Sequence, residues 1–170
     1  MQRGAAVSAG FTLRDAEPRD LPTVARLVRD LARYEKLEHL AVGTEAAFGR
    51  ALFGTPPRAF ALVAEAPGGE AAGFALWFYG FRTFQARPCL YVEDVYVEPE
   101  HRGSGLGRLI FADLARRALA EGCDRMEWSV LDWNAPAIAF YERIGSRPRD
   151  GWALRVLTRP ALDDLAAAAA

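Results

Sequence analysis

The feature that most constrains this chain is the stretch at residues 90–107, LYVEDVYVEPEHRGSGLG. Residues 90–97 have the pattern of a β-strand, and three closely spaced glycines then open a helical pattern near Leu106. Glycines at the start of a helix leave backbone amides free to converge, and the helix N-terminus adds positive potential. The stretch therefore predicts a phosphate or pyrophosphate site, with two carboxylates, Glu93 and Asp94, just upstream on the strand.

Length and charge limit the classes of protein to consider. The chain has 170 residues, of which 51% are apolar, so we expect one domain with a proper core. Twenty-one basic residues against 22 acidic residues give a net charge of −1. We expect no nucleic acid and no membrane as partner, because bulk charge favours neither and no apolar run approaches the length of a bilayer span.

The cysteines and histidines do not form a metal-binding pattern. Cys89 and Cys123 lack CxxC spacing, and His39 and His101 are isolated in the sequence. The expectation is no metal and no disulfide framework, with two reduced thiols in a cytoplasmic protein.

Periodicity and turn residues predict the remaining elements. Asp20 and Thr44 are candidate helix N-caps. Predicted strands and helices alternate irregularly in the first part of the chain and regularly in the second. This order predicts an α/β (α+β) fold with a mixed sheet flanked by helices in a single domain. Residues 1–10 are expected to be a flexible tail and residues 166–170 a fraying end. Predicted strands are 11–14, 59–65, 72–79, 90–97, 126–131 and 152–157, with a loop at 82–88; helices follow Asp20, Thr44 and Gly105 and cover 137–144 and the C-terminus.

Three interpretations compete for the glycine turn. A Walker loop requires GK followed by Ser or Thr, whereas Gly107 is followed by Arg108. A dinucleotide fingerprint requires G-x-G-x-x-G early in a βαβ unit, whereas the spacing here is G-x-G-x-G after several elements. The third interpretation is a tight strand-to-helix connection without a ligand.

Three motifs in order favour a ligand. Residues 102–107 match [RQ]-x-x-G-x-[GA], residues 133–136 are W-N-x-P, and residues 140–145 are F-Y-x-R-x-G. In this order they resemble the GNAT superfamily of N-acetyltransferases. The runs LARYEKLE, YVEDVYVEPEHRG, DWNAPAIAFYERIG and the GW pair extend the resemblance to the diamine acetyltransferases, which include the spermidine/spermine and thialysine enzymes. It implies one mostly antiparallel N-acetyltransferase domain over residues 11–165.

The resemblance also implies residues that bind acetyl-CoA. Backbone groups of Val95, Tyr96 and Val97 would pair with the pantetheine arm and polarise the thioester carbonyl. A further set would hold the pyrophosphate and other parts of CoA; its members are Arg102, Gly103, Ser104, Gly105, Leu106, Gly107, Asn134, Pro136, Ala137 and Arg143.

Acetyl transfer to an amine requires two proton transfers. An alkyl ammonium has a pKa of about 10 and must lose a proton before it attacks, and the leaving thiolate must gain one. By the resemblance, Glu93 is the candidate water-relayed base and Tyr141 the candidate general acid. On a regular strand Glu93 and Asp94 would point to opposite faces, but the family has a bulge in this strand.

The amine side is also assigned through the resemblance. Acidic groups there suit a substrate with more than one cationic amine. From the residues alone, Tyr34 and Glu35 would be an ordinary solvated helix end. Asp132 stands where the family tends to have Glu. The segment between Gly145 and Gly151 is shorter than in the spermidine/spermine enzymes, which leaves the fit of long polyamines open. The candidates are Tyr34, Glu35, Glu93, Asp94, Glu127, Trp128, Ser129 and Asp150.

The leading hypothesis is a cytoplasmic, homodimeric N-acetyltransferase that uses acetyl-CoA and no metal. Its substrate would be the primary amine of a small cation, a diamine, polyamine or thialysine-like compound, and the amine would attack directly. One alternative changes the substrate to an amino acid, an aminoglycoside-like compound or a protein N-terminus. The other is a CoA-binding regulatory domain without turnover, for which neither Glu93 nor Tyr141 would be needed.

Overall fold

The protein is described by a computed structural model that covers residues 6–8 and 10–168. These residues form two compact units, one ending at Ser129 and the other beginning at Val130. In the described part of the first unit, six strands form one sheet in sequence order, all neighbours being antiparallel except the last, parallel pair. This confirms the predicted mixed, mostly antiparallel sheet. The strands are Ala6–Ser8 (β1), Phe11–Asp15 (β2), Phe60–Glu65 (β3), Ala71–Arg82 (β4), Arg87–Val97 (β5) and Met126–Glu127 (β6).

Helices cover both faces of this sheet. The first unit contains helices Leu21–Glu35 (α1), Glu45–Phe53 (α2) and Leu106–Ala120 (α3), with 3₁₀ turns at Pro18–Asp20, Glu38–Leu40 and Pro99–His101. Apolar residues of α3 form one core with one sheet face, here called the α3-side core. Residues of α1 and α2 form a second core with the opposite face, the α1-side core.

Strand β4 shows how one segment serves both cores. Phe74 and Leu76 lie in the α1-side core, whereas Ala75 and Trp77 lie in the α3-side core. Successive side chains of a strand point to opposite faces, so a strand covered on both faces is apolar at every position. The aromatic-rich run predicted to be buried is therefore buried because helices lie on both sides.

The helix ends follow local chemistry. The Thr44 side chain caps α2 by accepting a hydrogen bond of 3.2 Å from the amide of Ala47, as predicted. Asp20 is the N-cap residue of α1, as predicted, but its side chain makes no cap hydrogen bond to that helix. Its carboxylate instead accepts hydrogen bonds from the guanidinium of Arg14 at 2.6 and 2.8 Å and from the amide of Glu17 at 2.7 Å.

The predicted loop at 82–88 is a shorter turn, limited to residues 83–86. β4 and β5 continue toward each other until Arg82 pairs with Arg87, which leaves a four-residue turn. Gly80 and Pro88 both lie inside the paired strands, although glycine and proline are rare there. Pairing between the two long strands outweighs those local preferences, and the Phe78 ring stacks on Tyr91 at 5.0 Å between centroids.

Two predicted strands are shorter or absent. The strand predicted at 126–131 is limited to β6, and the segment 152–157 is not a strand. Within the described residues of the second unit, the regular elements are the helices Ala135–Arg143 (α4) and Arg159–Ala167 (α5). Residues 152–157 keep the apolar alternation of a strand, but alternation produces a strand only where a neighbouring strand supplies hydrogen bonds.

The ends of the chain were predicted to be tail and fraying helix. Residues 1–5, 9 and 169–170 of those predictions lie outside the described residues. Ala6–Ser8, which the tail prediction included, pairs with β2 as β1. Over the described residues, no helix is both long and apolar enough to cross a bilayer.

Candidate active site

Strand β5 contains a bulge at Glu93. Leu76 of β4 pairs with Asp94 and Trp77 pairs with Val92, so Glu93 is the extra residue between two paired positions. The bulge implied by the family resemblance is therefore present. Because a bulge inserts a residue and bends its strand, the two carboxylates are not held to opposite faces of a regular ladder.

The bulge also reverses which face each later residue of β5 occupies. Before it, Leu90 and Val92 lie in the α3-side core; after it, Val95 and Val97 pack on that core while Tyr96 lies in the α1-side core. A shift of one residue changes the face of every side chain beyond it. Tyr96 is consequently brought to the side of the sheet where α1 ends.

The carboxylates of Glu93 and Glu35 lie within electrostatic range of Asp94 at the bulge, and the three are here called the acidic cluster. Glu35 is the last residue of α1, and Lys36 ends that helix in the left-handed conformation at φ 62°. Burial, then the negative charges of Glu93 and Glu35, raise the pKa of the half-buried Asp94 to about 6. Burial also raises the pKa of Glu35. Among the described residues no ion pair neutralises these three groups, so the cluster favours a cation.

The glycine turn enters α3 through two left-handed residues. Gly103 has φ 78° and Gly105 has φ 89°, values that disfavour residues with a side chain. The first hydrogen bond within the helix runs from the amide of Leu109 to the carbonyl of Gly105 at 3.0 Å. The amides of the first turn therefore have no acceptor within the helix. Ser104 Oγ accepts a long bond of 3.4 Å from the amide of Leu106. This is the geometry of a helix N-terminus that binds anions.

The part of β5 beyond the bulge has one side free of strand pairing. Val95 and Val97 pair with Ala75 and Gly73 of β4 on one side. On the other side, β6 pairs only with residues 90–91, and in the described chain no other strand continues that ladder. An extended ligand with amide groups, such as pantetheine, can add there as a strand would. The open edge and the glycine turn together therefore fit acetyl-CoA.

Arg102 is held at the start of the glycine turn. Its Nε donates a hydrogen bond of 3.0 Å to the carbonyl of Val97. The guanidinium carbon lies 4.6 Å from the centroid of the Tyr34 ring and 5.6 Å from that of Tyr96. Tyr34, assigned to the amine side by resemblance, thus lies against a residue of the predicted donor site.

The predicted substrate residues on and after β6 already have protein partners. Glu127 forms an ion pair with Arg125. The Trp128 ring packs edge-to-face on Phe111 at 5.1 Å, and Ser129 Oγ lies 2.9 Å from the hydroxyl of Tyr91. These contacts order the segment, and they place no unpaired charge at it.

The second unit carries the remaining predicted site residues. Asn134 is buried and caps α4, its side chain accepting a hydrogen bond of 3.3 Å from the amide of Ala137. Pro136 occupies the first turn of α4, where a missing amide hydrogen costs nothing. The W-N-x-P motif thus has a local structural role in starting this helix.

Further along α4, the Tyr141 ring contacts Phe140 edge-to-face at 5.5 Å, and Arg143 lies in the last turn. Asp150 precedes Gly151, a left-handed residue at φ 76°. Arg149 covers the ring of Trp152 at 4.1 Å.

Two features of the site escaped the sequence prediction. The closeness of Glu35 and Asp94 depends on the packing of α1 on the sheet, and no local signal predicts it. The ion pair between Arg26 and Glu98 at 2.5 Å, beside Tyr96, also depends on that packing and has no local signal in the sequence. Within residues 6–8 and 10–168 no group of His, Cys, Asp or Glu is arranged to hold a metal ion.

Comparison with known proteins places this geometry in a family. The family model described as "Acetyltransferase (GNAT) family" matches residues 25–145, which spans both units. A thialysine N-epsilon-acetyltransferase of Bos taurus is 37% identical over 150 residues, covering 82% of this chain and 88% of that protein. An L-ornithine N5-acetyltransferase of Arabidopsis thaliana is 29% identical over 194 residues, covering 88% of this chain and 85% of that protein.

The same relationship is present in solved structures. An integron cassette protein from the mobile metagenome of V. cholerae has a TM-score of 0.77 at 21% identity, covering 92% of this chain and 98% of that chain. At that identity the likeness concerns the fold. Together with the motif match across both units and the relatives named above, it leads to one conclusion: the chain belongs to the GNAT family of acetyltransferases and is an acyltransferase.

Proposed function

We propose that the protein transfers an acetyl group from acetyl-CoA to a primary amine of a small substrate that carries a second cationic group. Diamines, polyamines and thialysine-like amino acids are of this kind. The observation that carries the proposal is the acidic cluster of Glu35, Glu93 and Asp94, which no ion pair neutralises within residues 6–8 and 10–168. The named relatives act on thialysine and ornithine, compounds with two amines, which supports this substrate class.

The donor half of the site is assigned to the first unit. Acetyl-CoA supplies an acetyl group activated as a thioester. The backbone of Val95, Tyr96 and Val97 is proposed to bind its pantetheine arm along the open edge of β5. Residues 102–107 are proposed to bind the pyrophosphate with main-chain amides and the guanidinium of Arg102.

Glu93 is proposed to accept the proton that the ammonium must lose. It is exposed at the bulge, so water can relay the proton to its carboxylate. Asp94 and Glu35 hold the second positive charge of the substrate and set its orientation. A cation bound there would lower the pKa of Asp94 again, because an opposite charge favours the ionised carboxylate.

Tyr141 is proposed to complete the proton balance. The amine nitrogen forms a bond to the acetyl carbon, the bond from that carbon to sulfur breaks, and Tyr141 donates its phenolic proton to the departing thiolate. The nitrogen loses its second proton as it becomes the amide, and that proton returns through water to the Tyr141 phenolate, while the proton accepted by Glu93 passes to solvent. Asn134, Pro136, Ala137 and Arg143 are proposed as additional CoA contacts from α4. The assignment of α4 rests on the F-Y-x-R-x-G and W-N-x-P motifs.

Direct attack by the amine is favoured over an acetyl-cysteine enzyme. Cys89 and Cys123 are both buried, and burial is the largest of several causes that raise the pKa of Cys123. A nucleophilic cysteine requires the opposite shift, because the thiolate is the reactive form. Two free thiols also suit the cytoplasm, which we propose as the compartment.

The remaining amine-side assignments rank below the acidic cluster. Trp128, Ser129 and Asp150 stay candidates for contact with the rest of the substrate, and Tyr34 is set apart from them because it lies against Arg102. Glu127 is a weaker candidate for binding a cation, because its charge is already paired with Arg125.

A panel of amines with acetyl-CoA, followed by release of free CoA, tests the proposal. Thialysine, ornithine, a short diamine and spermidine should be acetylated in preference to monoamines of equal length. Asp94→Asn should reduce this preference, whereas Glu70→Gln in the exposed β3–β4 turn serves as the matched control. Turnover only with an aminoglycoside or a peptide N-terminus would replace the substrate class, and CoA binding without turnover of any amine would favour a regulatory domain.

We also propose a homodimer. Residues 152–157 have no regular secondary structure and alternate in apolar character, yet Trp152, Leu154 and Val156 are exposed. A second copy of the chain can cover them and supply the strand pairing that this segment lacks in one chain. Light scattering should give twice the mass of the 18.7 kDa chain, and Leu154→Asp should lower that mass; a wild-type monomer at assay concentration contradicts the proposal.

A further inference from the structure

Arg102 has a more defined environment than its exposure suggests. Its Nε is bound to the carbonyl of Val97 at 3.0 Å, and its guanidinium lies over the Tyr34 and Tyr96 rings at 4.6 and 5.6 Å from their centroids. Within the described residues its two terminal nitrogens have no hydrogen-bond partner. A guanidinium that is fixed at Nε and free at both terminal nitrogens presents a fork to phosphate oxygens.

The two rings are themselves fixed by the fold. Tyr96 is buried in β5, and it reaches the α1 side of the sheet because of the bulge at Glu93. Glu98, which is bonded to Arg26 of α1 at 2.5 Å, lies near the Tyr96 hydroxyl and contributes, after burial, to the raised pKa of that group. Tyr34 lies in the last turn of α1 and packs against the α1-side core.

We propose that Tyr34 and Tyr96 form a two-ring clamp that positions Arg102 for the pyrophosphate of the acetyl donor. Tyr34 is then a positioning residue of the donor half of the site, although the family resemblance assigns it to the amine half. The inference rests on the proposed use of acetyl-CoA. It gives the two last residues of α1 different roles, Tyr34 toward the donor and Glu35 toward the amine.

The physical reason is entropic. A free arginine side chain loses rotamer entropy when it is fixed on a ligand. Contacts between the guanidinium and aromatic faces restrict it before the ligand arrives, and each such contact is also attractive. Removing one ring should therefore weaken binding of a ligand that contacts Arg102 and spare a ligand that does not.

The experiment compares Tyr34→Leu, which removes the ring, with Tyr34→Phe, which keeps it. Calorimetric titration with CoA should show about fivefold to tenfold weaker binding for Tyr34→Leu and a change within about twofold for Tyr34→Phe. With acetyl-pantetheine, which lacks the pyrophosphate, kcat/KM of both variants should equal that of wild type. The KM for the amine should also be unchanged.

A double-mutant cycle with Arg102→Gln separates positioning from general damage to the fold. In the Arg102→Gln background, Tyr34→Leu should have no further effect on CoA binding, because the group that it positions is gone. Equal CoA affinity in wild type and Tyr34→Leu overturns the clamp, as does an additive cycle or a raised amine KM. If wild type itself does not bind CoA, it is the proposed function that fails.

Discussion

Asp20 and Asp94 are two carboxylates of the first unit whose surroundings shift their pKa values in opposite directions. Asp20 is 7% exposed and accepts bonds from Arg14 and from the amide of Glu17, and the Arg14 guanidinium is the main cause of its lowered pKa. Asp94 is half-buried beside Glu93 and Glu35, and its pKa is raised to about 6. The charge of Asp20 is paired with that of Arg14 within the fold, whereas no cationic side chain pairs with Asp94 in the part of the chain that the structure describes. Burial alone therefore does not mark a functional acid; burial among like charges does.

The largest expected effect concerns activity at the acidic cluster. Glu93→Gln removes the proposed base and should lower kcat/KM by about 100-fold near neutral pH, with partial recovery in alkali, where the amine is already deprotonated. Asp20→Asn should leave kcat/KM unchanged per folded molecule. A pH profile of both variants measures this, and equal losses would remove the distinction between the two carboxylates.

Asp20, whose substitution should not affect activity, should have the larger effect on stability. Asp20→Asn breaks a buried charge pair and should lower the free energy of unfolding by about 2 kcal/mol at pH 7. Because the folded-state pKa of Asp20 is lowered, its contribution is present above its unfolded pKa of about 4 and is lost as the pH falls below it. Urea unfolding at pH 7 and pH 3 should show a smaller difference at pH 3. A difference independent of pH contradicts the role of the charge.

The smallest expected effect is a gain in stability, not a loss. Asp94→Asn should raise the free energy of unfolding by about 1 kcal/mol above pH 6, because the ionised carboxylate is disfavoured in the folded state. The folded-state pKa is raised, so wild type loses stability as the pH rises from about 4 to about 6, and the variant should not. The two proteins should be equally stable at pH 4. A variant less stable than wild type at pH 7 would show that Asp94 is satisfied by partners, like Asp20.

The sequence predicts local features of this fold well. The cap at Thr44, the glycine turn and the helix after it depend on residues close together in the chain, and they are present. The family resemblance added the bulge at Glu93, which alternation alone does not show.

What the sequence did not predict depends on distant contacts. The pKa of Asp94 is set partly by Glu35, which α1 brings across the sheet. The position of Tyr34 beside Arg102 depends on the same packing. At residues 152–157 the alternation was recognised, but a strand also requires a partner, and the pattern of one segment does not contain that information.

The bulge at Glu93 also has a consequence for inheritance. If the codon for this residue were deleted, Val92 and Asp94 would become consecutive and could still pair with Trp77 and Leu76, which are already consecutive on β4. β5 would then be a regular strand in which Val95, Tyr96 and Val97 keep their present faces, and the proposed base would be lost. Position 93 can therefore be gained or lost without repacking either core, so the catalytic position is inherited separately from the core.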